Sequence, residues 1–138
     1  MSAGWWIRRL DELPRVPPED EHDPDWYPLQ HYFGLTTVGV NAYVARASGD
    51  VLVEAHDETG SGHEELYFIA AGSASFTVDG EERDVGAGTV VVVREPAVRR
   101  QAVAREPGTT VIAVGGRPDP AFVSSWQPHH FEGIPRAE

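Results

Sequence analysis

Hydrophobic residues in this chain fall into short runs, several with a two-residue period, and Gly or Pro closes most of them. From Leu35 onward the runs are rich in Val, Thr and aromatic residues: LTTVGVNAYVARA, VLVEAH, ELYFIAAG, ASFTVDG, TVVVVR, VRRQAVA and TTVIAVGG. Such runs predict β-strands, and no segment shows the longer apolar periodicity of a convincing helix. About seven short, closely spaced strands indicate an all-β chain, built as an antiparallel sandwich or a small barrel.

Two dipeptides mark sharp turns between these strands. Asp79-Gly80 lies between FTV and the ERDV run, and Asp-Gly tolerates the positive φ angles of a type I′ hairpin. Pro107-Gly108 marks a second turn. Tight turns of this kind favour neighbouring antiparallel strands.

The segments on either side of the β-rich region differ from it in composition. WWIRRLDEL is long enough for one helical turn, but the following PRVPPEDEHDPDWYP contains too many prolines and acidic residues to continue it. We therefore predict an irregular N-terminal arm at 1–34, one barrel at 35–116 and a short tail at 117–138. The aromatic residues of the arm predict that it docks on the barrel mouth or on a dimer partner.

Composition excludes several classes of function. The 138 residues suffice for one domain. There is no Cys and all eleven basic residues are Arg, which excludes thiolate nucleophiles, Cys-ligated metals and Schiff-base chemistry. The net charge of -11 repels a phosphate backbone, so nucleic acid is not an expected partner. No apolar run approaches a membrane span or a signal peptide, and we expect a cytoplasmic protein that binds a small molecule.

The chemistry-bearing residues concentrate in the loop that follows VLVEAH and in the strand after it. Alternation along ELYFIAAG places Glu65, Tyr67 and Ile69 on one face. His63 lies two residues before Glu65, and His56 ends the preceding run and faces it across the loop. Imidazole and carboxylate groups bind divalent ions and also transfer protons near neutral pH. Glu65, His63 and Tyr67 are therefore the candidate catalytic residues.

Two motifs resemble those of the cupin superfamily. Glu65, the six residues LYFIAA and Gly72 match the second half of the first cupin motif, and GTVVVVREPAVRR resembles the second motif in its spacing. The resemblance spans about 35–115 and implies a double-stranded β-helix, or jelly-roll barrel. It also implies a metal centre inside the barrel and association into a homodimer.

The usual cupin metal ligands are largely replaced in this sequence. The positions of the three motif histidines fall near Thr59, Ser61 and Arg99. A shifted set, His56, Glu58, His63 and Glu65, would still suit zinc, iron, manganese or nickel. Alternatively the barrel holds no metal and Arg99 or Arg100 pairs with Glu65 or binds an acidic group of a ligand, with Tyr67 beside it. By alternation, one of the two arginines should face the interior.

These residues support two main hypotheses of function. The first is a small-molecule-binding barrel without a conventional metal site. The second is a metal-dependent oxygenase, isomerase or cyclase that acts on a small polar metabolite. A metal-free enzyme that uses His63 and Glu65 lies between them, and an interaction module is a third class. Leu66 and Phe68 alternate to the outer face, where they would support a homodimer.

Overall fold

The computed structural model describes residues 4–119 and 128–133, which form two packed antiparallel sheets. Among these residues, helix is confined to one short α-helix, α1 (Leu29–Phe33), and to 3₁₀ turns at Leu10–Glu12 and Pro128–Phe131. The strands in this part of the chain are β1 (Asp25–Tyr27), β2 (Gly39–Val44), β3 (Val51–His56), β4 (Glu64–Ala71), β5 (Ser73–Val78), β6 (Glu81–Gly86), β7 (Val90–Val93), β8 (Arg100–Ala104) and β9 (Thr110–Gly116). The prediction of an all-β chain is confirmed.

The strand order follows from hairpins and long crossings between the sheets. One sheet has the order β1-β2-β9-β4-β7 and the other has the order β3-β8-β5-β6. Inward residues of both sheets interdigitate in one core, which includes Tyr67 and Val111 from the first sheet and Leu52, Phe76 and Ala102 from the second. The alternation predicted for β4 is confirmed, because Tyr67 and Ile69 are buried while Leu66 and Phe68 are exposed.

A glycine-containing turn lies at each end of β5. Asp79 and Gly80 have φ angles of 51° and 79°, so the hairpin between β5 and β6 has the two positive φ angles of the predicted turn. Gly72 joins β4 to β5 with φ 74°. A Cβ at Gly72 would lie 2.4 Å from Thr109 Oγ1, and Thr109 is itself buried. Position 72 therefore accommodates only glycine without a clash with Thr109.

The N-terminal arm is attached to the barrel at several points. Leu13 and Tyr27 form a second apolar cluster with Ala42, against which Leu10 and Phe33 pack. The segment Asp25–Tyr27 is not irregular, because it pairs with β2, and Val16 forms a bridge with Trp26. Most of the tail at 117–138 lies outside the described residues. No helix in the described ranges is long and apolar enough to cross a membrane.

Candidate functional site

A cavity of about 570 Å³ opens between the two sheets. Its wall comes from β2, β3, β4 and β9 and from the N-terminal arm. The arm contributes Val16, Pro17, Pro18, Glu19, Asp23 and Pro24. Part of the predicted arm therefore lines the cavity, and its docking on the barrel mouth or on a dimer partner stays a prediction.

The loop between β3 and β4 folds back so that Glu58 lines the cavity. The Glu58 carbonyl accepts hydrogen bonds from the backbone N–H groups of Ser61 and Gly62, at 3.2 and 2.7 Å. Asp57 closes the same turn by accepting from the Thr59 N–H and hydroxyl. The positive φ of Gly62 then directs the chain into β4. This tight turn brings Glu58 next to His56 and Glu65.

Three side chains converge at the end of β3 and the start of β4. His56 Nε2 lies 2.9 Å from Glu58 Oε1 and 3.5 Å from Glu65 Oε1. The Tyr67 hydroxyl donates a 2.8 Å hydrogen bond to the same Glu65 oxygen. Glu65 Oε1 therefore lies close to the imidazole of His56, the phenol of Tyr67 and the guanidinium of Arg100.

The backbone sets the tautomer of His56. Its Nδ1 lies 2.6 Å from the Glu54 carbonyl oxygen, which can only accept, so we assign the proton to Nδ1. A second proton on Nε2 then lets the imidazolium donate to the Glu58 carboxylate, and without that proton Nε2 is an acceptor. Burial lowers the pKa of His56, but the hydrogen bonds to Glu54 and Glu58 and the two carboxylate charges outweigh burial and raise it.

Glu58 and Tyr67 respond to this environment in opposite ways. Burial raises the pKa of the Glu58 carboxyl, but hydrogen bonds that include those from Ser61 and His56 hold it below its ordinary value. For Tyr67, burial and then the neighbouring Glu65 carboxylate raise the pKa of the phenol far above its usual range. Glu58 is therefore a carboxylate at neutral pH, and Tyr67 is a fixed hydrogen-bond donor.

The two arginines at the start of β8 separate as strand alternation requires. Arg100 is buried in the interior, and its Nη1 lies 3.9 Å from Glu65 Oε1. Arg99 is exposed, with Nη2 3.4 Å from the Ala55 carbonyl. The structure thus brings Arg100 to the candidate site and leaves Arg99 outside it.

His63 lines the cavity, but it lies outside the cluster of His56, Glu58 and Glu65. Its described hydrogen bond is made by its backbone N–H to Ser61 Oγ, at 3.3 Å. The imidazole next to Glu65 is therefore that of His56. Sequence reasoning proposed a His63–Glu65 pair because the two residues are close along the chain.

Sequence reasoning missed an aromatic pair in the cavity wall. Trp26 stacks on Tyr43 with ring centroids 6.3 Å apart, and its indole N–H donates to Asn41 Oδ1 at 2.8 Å. Burial is the main reason that the pKa of Tyr43 rises to about 12. The two-residue spacing of Asn41 and Tyr43 in NAYV indicates that they share a face, but the sequence does not show that Trp26 joins them.

The cluster could hold a divalent ion. His56, Glu58 and Glu65 each offer one ligand atom, and these atoms lie within 4.8 Å of one another. The donors are one imidazole nitrogen and carboxylate oxygens, a set that suits zinc, iron, manganese or nickel. The Nδ1 contact of His56 with Glu54 is also the outer contact that orients metal-binding histidines. The residues present therefore fit a metal ion.

Comparison with solved structures identifies the fold. The chain is similar to a sugar phosphate isomerase of the cupin superfamily from Silicibacter pomeroyi, with TM-score 0.65 and 18% identity over 81% of this chain and 76% of that one. It is also similar to the nucleoside dehydratase Pac13, with TM-score 0.57 and 16% identity over 86% of this chain and 85% of that one. KdgF from Halomonas sp. has TM-score 0.51 and 23% identity over 60% of this chain and 73% of that one.

No protein-family model and no curated protein matches the chain. The matches to solved structures are nevertheless consistent with the two antiparallel sheets that line one cavity in this chain. The chain has the β-barrel fold of the cupin superfamily.

Proposed function

We propose that this protein binds a small organic molecule in the barrel cavity and that the binding groups are His56, Glu58, Glu65 and Tyr67. One observation carries the proposal: these four side chains lie in hydrogen-bonding or ionic contact on the wall of a cavity of about 570 Å³. A cavity of that size with a few convergent polar groups is typical of small-molecule sites. The fold-level neighbours include an isomerase and a nucleoside dehydratase, which is consistent with this proposal.

The arrangement can also move a proton. His56 Nε2 faces two carboxylates, and its proton is available to a ligand that enters between them. Tyr67 keeps its own proton and holds Glu65 in place. His56 with Glu58 or Glu65 is thus a general acid and base pair for an isomerisation or an elimination, the reaction types that need no external oxidant.

A thermal-shift screen against a metabolite library tests the binding proposal. Compounds that raise the melting temperature of the wild-type protein should have no effect on His56→Ala or Glu65→Gln. The matched control is His31→Ala, because His31 lies on α1 and does not line the cavity. The proposal fails if no compound stabilises the wild type, or if the site variants respond as the wild type does.

The second candidate is a metal-dependent enzyme that uses the same residues. The observation in its favour is the set of three ligand atoms within 4.8 Å from His56, Glu58 and Glu65. A bound divalent ion would supply a Lewis acid and lower the pKa of a coordinated water. It stands second because the Arg100 guanidinium, 3.9 Å from Glu65, already offsets part of the negative charge that attracts a divalent ion.

Elemental mass spectrometry of protein purified without chelator or His-tag decides between the two candidates. The metal-free binder should contain no stoichiometric zinc, iron, manganese or nickel and should take up none on addition. A near-stoichiometric ion that is lost in His56→Ala and retained in His63→Ala would replace it with the metalloenzyme. His63→Ala is the matched control because His63 lines the cavity but lies outside the three-residue cluster.

A further inference from the structure

Arg100 carries a buried charge without a hydrogen-bond acceptor among the described residues. Its side chain is 0% exposed, and Nε, Nη1 and Nη2 all lack a partner. Arginine keeps its charge in proteins, so burial cannot be relieved by loss of a proton. A buried ion without an acceptor destabilises the folded state. The interior of the barrel therefore contains donors that an incoming acceptor group would satisfy.

Glu65 does not accept a hydrogen bond from Arg100 in the described geometry. Its Oε1 is 3.9 Å from Arg100 Nη1, which is too far for a hydrogen bond. The same oxygen already accepts from Tyr67 and faces His56. Glu65 is 14% exposed and lines the cavity, so it is the charged side chain between the cavity and Arg100. Arg100 does not itself line the cavity, so a ligand reaches the guanidinium only if Glu65 rotates away from Tyr67 and His56.

The rest of the cavity wall limits what that ligand can be. Beyond Glu65, the described wall carries the imidazoles of His56 and His63 and no arginine, and it carries the more numerous carboxyl groups of Glu19, Asp23, Glu54 and Glu58. These groups repel a ligand with several negative charges, such as a phosphate ester. They accept hydrogen bonds from hydroxyl or ammonium groups. A ligand with a single acidic group directed to Arg100 and hydrogen-bond donors directed to the carboxyl groups of the wall would match both.

We propose that the ligand is a small carboxylic acid bearing hydroxyl or ammonium groups, and that Arg100 binds its carboxylate. The parallel N–H groups of a guanidinium match the two oxygens of a carboxylate. The donors of the ligand face the acidic wall, and Glu65 turns aside to admit it. This inference rests on the proposed function, because it names the class of molecule that the cavity binds.

The test is ligand-observed NMR with hydroxy acids and amino acids of about three to six carbons, a size that the cavity admits. Each acid is paired with its carboxamide, which keeps the shape and removes the charge, and with a phosphate ester of similar size. The acids should bind at least about tenfold more tightly than their amides. Arg100→Met should abolish that difference. Arg99→Met, the exposed neighbour, should preserve it within about twofold.

The outcomes separate this inference from the proposed function. Amides or phosphate esters that bind as tightly as the acids overturn it, as does an acid preference that survives in Arg100→Met. Should Arg100→Met fail to fold, the acid and amide comparison on the wild type still decides. If no acid binds while the thermal-shift screen finds other ligands, this inference fails and the proposed function stands. If neither the thermal-shift screen nor the NMR experiment detects a ligand, both this inference and the proposed function are overturned.

Discussion

The Tyr67 hydroxyl donates a 2.8 Å hydrogen bond to Glu65 Oε1, and the two residues lie two positions apart on the inward face of β4. The phenol is buried, and its raised pKa keeps it a donor. This buried donor on the same strand orients the carboxylate toward His56 and within 3.9 Å of Arg100. The orientation of Glu65 therefore depends on a neighbour two residues away.

Removal of this hydrogen bond should destabilise the fold. We expect Tyr67→Phe to lower the free energy of unfolding by about 1.5 to 3 kcal/mol, the range for a hydrogen bond to a charged group. The control is Tyr43→Phe, because the structure describes no hydrogen bond from the Tyr43 hydroxyl to any of the described residues. Urea unfolding followed by fluorescence measures both. Equal losses in the two variants would show that the Tyr67–Glu65 bond contributes nothing specific.

The raised pKa of His56 predicts a dependence of stability on pH. A folded-state pKa above the unfolded value means that protonation favours the folded state. The contribution is complete below the unfolded pKa, about 6.5, and is lost as the pH rises through the folded value. Unfolding measured across this range in EDTA should show the decline in the wild type and in His31→Asn, and not in His56→Asn. An unchanged decline in His56→Asn would contradict the assignment.

Gly72 should be the more sensitive of two glycines with nearly equal φ. Gly72 and Gly80 have φ angles of 74° and 79°, so Ala at either position incurs about 1 to 2 kcal/mol of backbone strain. A Cβ at Gly72 also meets the Thr109 side chain and backbone, whereas one at Gly80 meets nothing within 4 Å. Gly72→Ala should therefore cost at least about 1 kcal/mol more. Similar melting temperatures for the two variants would refute this steric account.

The outer face of β4 and β7 is the expected dimer contact. Leu66 and Phe68 are each 39% exposed and pair with Val92 and Val90, which are 61% and 51% exposed. We predict a dimer at micromolar concentration and a monomer for Val92→Glu, because a buried carboxylate would be added to each copy of a chain of net charge -11. Leu35→Glu, on another surface, should leave the dimer intact. A monomeric wild type in sedimentation velocity would end this prediction.

Local sequence was sufficient for the features that depend on neighbours along the chain. Alternation in ELYFIAAG identifies Tyr67 and Ile69 as inward, because successive side chains of a strand point to opposite faces. The Asp79-Gly80 hairpin is equally local, since its backbone angles depend on two residues. The cupin fold is predicted from many such local elements in their order along the chain, so an error in one predicted strand does not change the predicted fold.

The candidate site depended on contacts that sequence distance does not reveal. The spacing suggests both a His63–Glu65 pair and a set that adds His56 and Glu58. The turn closed on Glu58 brings His56 to Glu65, and His63 lies outside the cluster. The stack of Trp26 on Tyr43 likewise requires the arm to pair with β2. These contacts arise from loop geometry and from strand register, and neither is encoded by spacing alone.

The sequence by itself determined the all-β class, the inward face of β4, the tight turns and the absence of thiol and amine chemistry. It also limited the buried arginine to one of Arg99 and Arg100. Only the tertiary structure decided that Arg100 is the buried one and that His56, Glu58 and Glu65 form the cluster. The physical reason is that backbone periodicity is a local property, whereas burial and charge pairing depend on which strands and loops the fold brings together.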